Sequence, residues 1–536
     1  MKRRVLGVLL LTLLIAATSI LPSASAYVGG SEQAKLSSTQ PQETIYRDDL
    51  KADIFALANG NRLMLVTLME LELWKECPTK AYAPIGLINL GPNPVRAVVR
   101  DVALGISGAY RAQTLNQEVL LEVVTEKPEE VLMLLSQHPG SPEANRVLGK
   151  AFKGPVSIGL PANNLKFGDK AAIDIELRIE SEGTLHVLVS QTNVIILQLP
   201  VRTYWHGGDG HIHSSWSPDS SGWTINDLAG YAADSGFHWV IVTDHEDGIN
   251  ENWPTYVAQC NNAQTGHGIV VAPGGEITAS GGNGDALGYC LRETAATIPN
   301  NQTYTPQGLI NAINNHNSPY SYAVIAHPYK TPAWTDWNVY GFRSIELLSY
   351  EYVASEEVKN KWFDLLRVNL ADTIATGKFV VGVGNTDSHK VLGIGGPNPG
   401  DRGFSWVYTQ DYQYYLRSSI WNAIRSGHVS ASGRKDLGVF AVNGTVQGSV
   451  IKVSAQGQLQ FRLVQQPVTG RKCTMVRIVD ALRNPIRNIA NPGTETYVTL
   501  SPPPNDTFYV VKFEFTATDG SEPSDVWCNP IFIDKI

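Results

Sequence analysis

The chain has 536 residues, a formal net charge of −8 and 43% hydrophobic residues. That length exceeds what one hydrophobic core usually organises, so we expect two to four domains. The acidic balance argues against a broad nucleic-acid interface, which needs clustered lysine and arginine.

The first 26 residues have the pattern of an export signal. Lys2, Arg3 and Arg4 form a basic start, Val5 to Ile20 is apolar, and residues 24–26 read Ala-Ser-Ala, a small-residue cleavage site. The apolar run of about 16 residues is short for a membrane span of about 20. We therefore expect a cleaved signal peptide, an exported protein (periplasmic or extracellular) and no membrane anchor afterwards. An uncleaved anchor is the alternative.

Residues 27–200 are predicted to form a mostly β domain with helical insertions. Apolar and polar side chains alternate from Ile173 to Glu180, which is typical of a strand with one wet face. Pro128–Gln137 and Pro142–Phe152 carry helix-start prolines. We interpret this segment as a scaffold or binding module, and the sequence does not identify its partners.

Residues 201–433 alternate strand-like apolar runs with helical stretches. Thr224 and Thr305 are predicted helix caps, a long helix is predicted from Ser355 to Ala371, and Gly427 follows a fourth helix. This βα alternation favours a parallel sheet or barrel. Residues 434–536 return to strand-like alternation and predict a β-sandwich.

Five cysteines are present: Cys77, Cys260, Cys290, Cys473 and Cys528. An exported chain can hold disulfides. Two pairings would join neighbours within one segment, Cys260 with Cys290 and Cys473 with Cys528. Connectivity does not follow from sequence, so the pairing stays open.

Metal-ligand side chains cluster just after the predicted strands. His211 and His213 have i, i+2 spacing, which points both imidazoles to one side of an extended segment. The other candidates follow separate strand patterns, at positions that converge on one face in βα barrels. They are Asp219, His245, Glu276, His327, Asp387 and His389. Imidazole and carboxylate together suit zinc, manganese or iron. Each piece alone also fits a structural role, so the metal hypothesis rests on the whole set.

The order of these motifs resembles the PHP-type (polymerase and histidinol phosphatase) metallohydrolases. The matching motifs are Gly208-Asp209-Gly210-His211-Ile212-His213, Thr243-Asp244-His245, Gly274-Gly275-Glu276, Ala326-His327-Pro328 and Asp387-Ser388-His389. The predicted export signal, the flanking β segments and the ending Asn529-Pro530-Ile531-Phe532-Ile533 further resemble the CehA/McbA-type branch. The resemblance covers about half the chain and no part of the N-terminal segment.

The resemblance implies a fold class and a ligand set. The fold would be a central distorted βα barrel (PHP-like and TIM-related) at 201–433, flanked by the N-terminal mostly β domain and the C-terminal β-sandwich. It would hold two or three divalent metals (manganese, iron or zinc). One ion would take His211, His213, Glu276 and Asp387, another would take Asp219, His245 and His389, and a third would share Glu276 and add His327.

The chain departs from the family pattern mildly at Ser214, where the motif has threonine, and at Pro218-Asp219-Ser220, where it usually reads Ser-Asp-Gly. A third departure bears on the metals. Many relatives place a histidine about ten residues after the glutamate, where this chain has Asp285. A carboxylate there is a harder ligand and would favour manganese or iron over zinc. The alternative is that Asp285 caps a turn and binds no metal.

Further residues are candidates for supporting roles. Asp209 and Asp244 are candidates to orient ligand imidazoles, with loop capping as the alternative. Arg402 and Lys390 are possible substrate-binding cations or ordinary solvated side chains. Trp216, Trp223, Trp334 and Trp337 either shape an aromatic pocket or pack under loops; packing is the safer interpretation.

The sequence supports three hypotheses for function. The first is an exported phosphoesterase that hydrolyses a small phosphomonoester or phosphodiester by metal-activated hydroxide. The second is a carboxyl- or carbamate-ester hydrolase on the same centre. The third is an inactive exported binding protein, which the intact ligand set argues against. No GxSxG motif suggests a serine nucleophile.

Overall fold

The structure is a computed structural model of the chain. It describes residues 35–536 except 48–49, 58, 75–79, 82, 84, 138–141, 155–157, 162–164, 166–169, 221, 301–303, 331–332, 350–355, 390–398 and 410–415. The predicted signal peptide, Cys77 and Lys390 lie outside the described residues. No helix in the described part of the chain is both long and apolar enough to cross a membrane.

The N-terminal segment consists mainly of strands with two short helices. Its strands are β1 (Lys35–Thr39), β2 (Glu43–Arg47), β3 (Leu50–Ala56), β4 (Arg62–Leu68), β5 (Glu70–Trp74), β6 (Lys80–Ala81), β7 (Gly86–Asn89), β8 (Val95–Ile106), β9 (Ala109–Leu121), β10 (Phe152–Lys153), β11 (Ile158–Gly159), β12 (Lys170–Ser181) and β13 (Thr184–Leu197). Its helices are α1 (Pro128–Gln137) and α2 (Pro142–Leu148).

Two larger sheets enclose the core of this segment. One has the order β1-β13-β12-β8-β9, with β5 also paired to β13, and the other has the order β10-β7-β4-β3-β2. The alternation predicted for β12 is confirmed, because Ile173, Ile175, Leu177 and Ile179 are all fully buried. These residues belong to a hydrophobic cluster drawn from this segment alone.

The central segment alternates strands and helices. Its strands are β14 (Trp205–His213), β15 (Trp239–Val242), β16 (Val270–Pro273), β17 (Gly275–Thr278), β18 (Asp285–Tyr289), β19 (Tyr322–Ile325), β20 (Ser344–Leu348), β21 (Val381–Gly384), β22 (Ser388–His389), β23 (Phe404–Tyr408) and β24 (Val429–Ser432). Its helices are α3 (Ile225–Asp234), α4 (Glu246–Ile249), α5 (Trp253–His267), α6 (Pro306–His316), α7 (Glu356–Val368), α8 (Leu370–Thr376) and α9 (Arg417–Arg425).

The predicted TIM-related βα barrel is wrong. Such a barrel needs parallel strands that close into one sheet, whereas these strands form a half-barrel from two sheets. One contains β16-β15-β14-β23-β24 and the other has the order β17-β18-β19-β20-β21. β18 is antiparallel to both β17 and β19, and β23 is antiparallel to β14. The short link between β17 and β18 leaves no room for a crossover helix, so the two strands form a hairpin.

The C-terminal segment is all β. Its strands are β25 (Leu437–Val442), β26 (Thr445–Val446), β27 (Val450–Val453), β28 (Leu459–Gln466), β29 (Arg471–Asp480), β30 (Pro485–Ala490), β31 (Glu495–Leu500), β32 (Thr507–Ala517), β33 (Ser524–Cys528) and β34 (Ile531–Lys535). β24 pairs with β33, so the first central sheet continues through β33, β32 and β29 to β30. A second sheet, β26-β25-β28-β31, faces it across a separate hydrophobic cluster.

Most of the predicted helix starts are present. Thr224 caps α3 in a capping box with Asp227, and the Thr305 side chain accepts a hydrogen bond from the N–H of Gly308 at the start of α6. The single helix predicted for 355–371 is two helices, since α7 ends at Val368 and α8 begins at Leu370. α5 was not expected from the sequence.

The four described cysteines are free thiols. Neither pairing considered from the sequence is present. Cys260, Cys473 and Cys528 are buried, and burial raises the pKa of the Cys473 thiol to about 12. They act as small apolar core residues.

Candidate metal centre

β14 carries the first two candidate ligands. All nine of its residues are buried, with His211 and His213 on the face opposite Ile212. A side chain at Gly210 would force its neighbours to shift, because a Cβ atom would lie 2.2 Å from the Tyr289 hydroxyl and 2.7 Å from Asn385 Oδ1. This close packing places both imidazoles in the interior.

The next ligands come from the strand ends around β14. His245 follows β15 and makes an isolated parallel bridge with Glu276, which lies on β17 and so links the two central sheets. β19 ends at Ile325, and Ala326 and then His327 follow it. The predicted convergence of these side chains is therefore present without a closed barrel.

Asp387 and His389 follow β21, and β22 returns to pair with β14. Asp387 has a φ of 60°, a left-handed conformation that is uncommon for a residue other than glycine. Asp209 holds this turn, because its carboxylate accepts hydrogen bonds from the N–H and hydroxyl of Thr386 and from the N–H of Gly400. Asp209 thus orders the backbone before Asp387 rather than orienting an imidazole.

Four ligand atoms form the first cluster. It consists of His211, Glu276, His327 and Asp387, all buried. His211 Nε2 lies 3.4 Å from Glu276 Oε1 and 3.3 Å from Asp387 Oδ1, and His327 Nε2 lies 2.8 Å from Glu276 Oε1. These donors point at a common centre.

The second cluster lies directly beside the first. It consists of His213, His245 and His389. Asp219 Oδ2 lies 3.2 Å from His245 Nε2 and 3.4 Å from His389 Nε2. His213 Nε2 also lies 3.2 Å from Glu276 Oε2 and 3.3 Å from Asp387 Oδ1. Glu276 and Asp387 therefore border both clusters.

The ligand sets that the family resemblance implied stay predictions, because His213 borders both clusters. His213 lies with His245 and His389, but its Nε2 also lies 3.1 Å from His211 Nε2. His327 lies with His211 and contacts Glu276, the residue that the implied third set would share. All seven residues are nevertheless brought together, with Asp219 at the edge.

Asp285 also faces the first cluster. It begins β18 and is only 5% exposed. Its Oδ2 lies 3.7 Å from His327 Nε2, and its Oδ1 has no hydrogen-bond partner. Burial and the nearby charge of Glu276 raise the pKa of Asp285 to about 6. The side chain points inward at the ligands, which supports a ligand role over a turn cap.

Glu346 is a site residue that the sequence analysis missed. It lies on β20, is 2% exposed, and its Oε1 lies 3.0 Å from His211 Nδ1. The N–H of His327 and the amide of Asn385 also donate to it, at 2.8 Å each. A carboxylate accepts hydrogen bonds, so Glu346 holds a proton on His211 Nδ1 and leaves Nε2 as the atom that can bind a metal. The sequence signal was a glutamate inside an apolar strand.

Ser217 orients the imidazole of His213 in the same way. Its hydroxyl donates to Asp244 Oδ1 at 2.7 Å and lies 2.9 Å from His213 Nδ1. With its own hydrogen used, Ser217 accepts from Nδ1 and leaves Nε2 of His213 for a metal. Asp244 therefore does orient an imidazole, through Ser217, and also holds the 214–217 loop through the N–H groups of Ser214 and Ser217.

The electrostatics of the site favour a bound cation. Burial opposes charge on Glu276, yet His211, His213 and His327 hold the pKa of that carboxyl well below its usual range. Burial opposes charge on His245 as well, but Asp219 and Glu276 raise the pKa of its imidazole to about 10. The negative charges of Glu276 and Asp219 therefore favour the binding of a cation.

The donor set fits divalent metal ions. Oδ1 of Asp387 and Oδ1 of Asp219 are buried without a hydrogen-bond partner, and His211 Nε2 and His213 Nε2 lie 3.1 Å apart. Buried acceptors rarely lack partners unless an ion satisfies them. Nitrogen and carboxylate donors suit zinc, manganese or iron. These groups could hold metal, and the residues present fit it.

The remaining candidates lie outside the two clusters. Arg402 is exposed and has a φ of 61°. Trp223 and Trp334 are buried in the core, at 1% and 2% exposure, and Trp216 packs edge-on against Tyr256. Trp337 stacks on Tyr329. For these tryptophans, packing under loops describes what is observed.

Comparison with known proteins identifies no family. No protein-family model and no curated protein match the chain. PsfC from Pseudomonas syringae PB-5123 aligns over 41% of this chain and 88% of its own at 15% identity, with a TM-score of 0.30. Murine CRIg aligns over 19% of this chain and 98% of its own at 8% identity, with a TM-score of 0.14. Bacteroides uniformis beta-glucuronidase aligns over 88% of this chain and 61% of its own at 9% identity, with a TM-score of 0.17. Similarities this weak establish neither a fold nor a function.

Proposed function

We propose that the protein is a metal-dependent hydrolase that acts on ester bonds, with phosphomonoesters or phosphodiesters as its substrates. The observation that carries the proposal is the pair of adjacent ligand clusters bordered by Glu276 and Asp387. Paired metals about 3.5–4 Å apart are a recurring arrangement in phosphatases and nucleases. The PHP-type motif order supports the same reaction class.

Two sets of residues would each hold one metal ion. The first ion would be bound by His211, Glu276, His327 and Asp387, with Asp285 beside them. The second ion would be bound by His213, His245, His389 and Asp219. When bound, such ions lower the pKa of water from about 15.7 to about 7 and stabilise charge on a phosphoryl or carbonyl oxygen. Glu346 and Ser217 keep His211 and His213 in the tautomer that this requires.

A substrate panel tests the proposal. Purified protein is loaded with manganese, iron or zinc, its metal content is measured, and p-nitrophenyl phosphate, bis-p-nitrophenyl phosphate, a p-nitrophenyl carboxyl ester and a carbamate ester are offered. We expect hydrolysis of at least one phosphate ester, lost in His211→Ala together with metal. His267→Ala is the control, since His267 pairs with Asn226 on an exposed face.

Two outcomes would contradict the proposal. Hydrolysis of only the carboxyl or carbamate ester would show that the centre acts on carbonyl carbon instead. No turnover of any ester at full metal content would favour the hypothesis of an exported binding protein.

A further inference from the structure

Lys330 reaches the first cluster from the loop that follows His327. Its Nζ lies 2.6 Å from Oδ2 of Asp387. The Lys330 side chain is 25% exposed, whereas that of Asp387 is 3% exposed. Lys330 therefore joins a buried candidate ligand while its own side chain remains partly open to solvent, from which a substrate arrives.

The two carboxylate oxygens of Asp387 face different neighbours. Oδ1 lies 3.3 Å from Nε2 of both His211 and His213 and has no hydrogen-bond donor. Oδ2 accepts a hydrogen bond from Lys330. One oxygen is thus placed for a metal and the other for the ammonium, so metal loading does not require Lys330 to leave.

Backbone hydrogen bonds of described residues on both sides of Lys330 do not involve its side chain. The N–H of Lys330 donates to the carbonyl of His327 at 2.9 Å, and the N–H of Trp334 donates to the carbonyl of Pro328 at 2.9 Å. Trp334 is itself buried and packs closely against Gly284. The hydrogen bond to His327 consequently holds the Lys330 backbone beside the first cluster, as a binding group requires.

We propose that Lys330 binds an anionic oxygen of the substrate and so makes the site prefer phosphate esters over neutral carboxyl esters. This rests on the proposed hydrolase function and adds the residue that recognises substrate charge. An ammonium has three N–H donors, so Lys330 can donate to Asp387 and to a phosphoryl oxygen together. A neutral ester carries no charge for that contact.

Inorganic phosphate is the probe, because its binding needs no turnover. We would titrate metal-loaded wild type, Lys330→Met, Lys330→Arg and the control Lys361→Met by calorimetry, with metal content measured for each. Lys361 lies over the Trp337 ring at 4.8 Å, so its replacement removes the same charge without touching Asp387. We expect Lys330→Met to bind phosphate about tenfold or more weakly at full metal content, because charge-assisted hydrogen bonds are the stronger kind. Lys330→Arg should keep part of the affinity and Lys361→Met all of it.

Three results would contradict the proposed role of Lys330. Unchanged phosphate affinity in Lys330→Met, or wild type that binds no phosphate, would overturn it. Loss of metal from Lys330→Met would overturn it too, since Lys330 would then only support Asp387. Wild type that hydrolyses no ester, while its phosphate binding still depends on Lys330, would refute the proposed function and leave the role of Lys330 standing.

Discussion

Glu346 fixes His211 from the side away from the ligand cluster. Its Oε1 accepts a hydrogen bond from His211 Nδ1 at 3.0 Å, and its Oε2 accepts one from the backbone N–H of His327. In Glu346→Gln the amide can turn its N–H toward Nδ1 and stabilise the wrong tautomer, so we expect metal affinity to fall about 10- to 100-fold. Competition with a chromogenic chelator measures the change.

Glu356→Gln is the matched control for that substitution. Glu356 lies at the start of α7, is 62% exposed and pairs with Lys359, so its replacement should leave metal affinity unchanged. Equal affinities in wild type and Glu346→Gln would show that the contact with His211 is incidental.

Asp285 is predicted to set the preference of the first cluster among metals. Its inward side chain and unpartnered Oδ1 place a hard donor beside His327. We expect manganese or iron to support activity better than zinc, and Asp285→His to shift the preference toward zinc. Metal titrations of both proteins provide the test, and identical stoichiometry and preference would assign Asp285 to a structural role.

Metal binding should release protons and strengthen as pH rises. Burial opposes charge on His211 and His327, but Glu276 and its neighbours raise the pKa of both, and the pKa of His245 is raised to about 10. Near neutral pH a metal must therefore displace protons, which compete more strongly as pH falls. Calorimetry in buffers of different ionisation enthalpy counts the protons, and a count of zero would contradict the assignment.

At the scale of elements, β14 depends on close packing at Gly210. An added Cβ would meet the Tyr289 hydroxyl and Asn385 Oδ1, and overpacking of this kind costs about 1–3 kcal/mol. Gly210→Ala should lower the thermal midpoint and weaken metal binding, because Asn385 also contacts Glu346.

Gly266→Ala in α5 is the control: that position is open, and alanine in a helix stabilises by about 0.5–1 kcal/mol. Equal midpoints for the two variants would mean that β14 relaxes to accept the methyl group.

The elements that the sequence predicted well are those governed by local rules. The alternation of β12 and the caps of α3 and α6 each depend on residues close in the chain, and all three are present. The convergence of His211, Glu276 and Asp387 also followed from local patterns, since His211 lies near the end of β14, Glu276 lies in β17 just after β16, and Asp387 lies shortly after β21.

Strand direction and long-range partners could not be predicted in the same way. An apolar run such as β18 looks alike whether it pairs parallel or antiparallel, and only the short link from β17 indicated a hairpin. Glu346 and Lys330 belong to no spaced motif, and their roles depend on contacts with His211 and Asp387 far along the chain. The barrel expectation failed because strand direction was not predicted. Glu346 and Lys330 were missed because their partners lie far away in the chain.

At the scale of the whole molecule, the C-terminal segment packs against the strands that carry the candidate metal centre. β24 pairs with β33, and Phe508, Val510 and Phe532 belong to the central hydrophobic cluster. The side chain of Asn529 accepts from the N–H of Gly382 and donates to its carbonyl, at 2.8 Å each. Since Gly382 lies on β21, the strand that leads to Asp387, this contact links the chain's end to the ligands.

In the residues that the structure describes, the N-terminal segment shows no such link to the candidate ligands. Its hydrophobic cluster is its own, and its contacts with the central segment include the Lys80–Asp234 ion pair and the packing of Leu197 and Leu199. We therefore expect a chain that begins at about residue 200 to fold and to bind metal as the whole protein does. A chain that ends at residue 433 should instead aggregate or lose metal, because it exposes β24 and removes part of the central core. Circular dichroism, thermal melts and metal content of both truncations test this contrast. A truncation at 433 that folds and holds its metals, or one at 200 that folds without them, would contradict it.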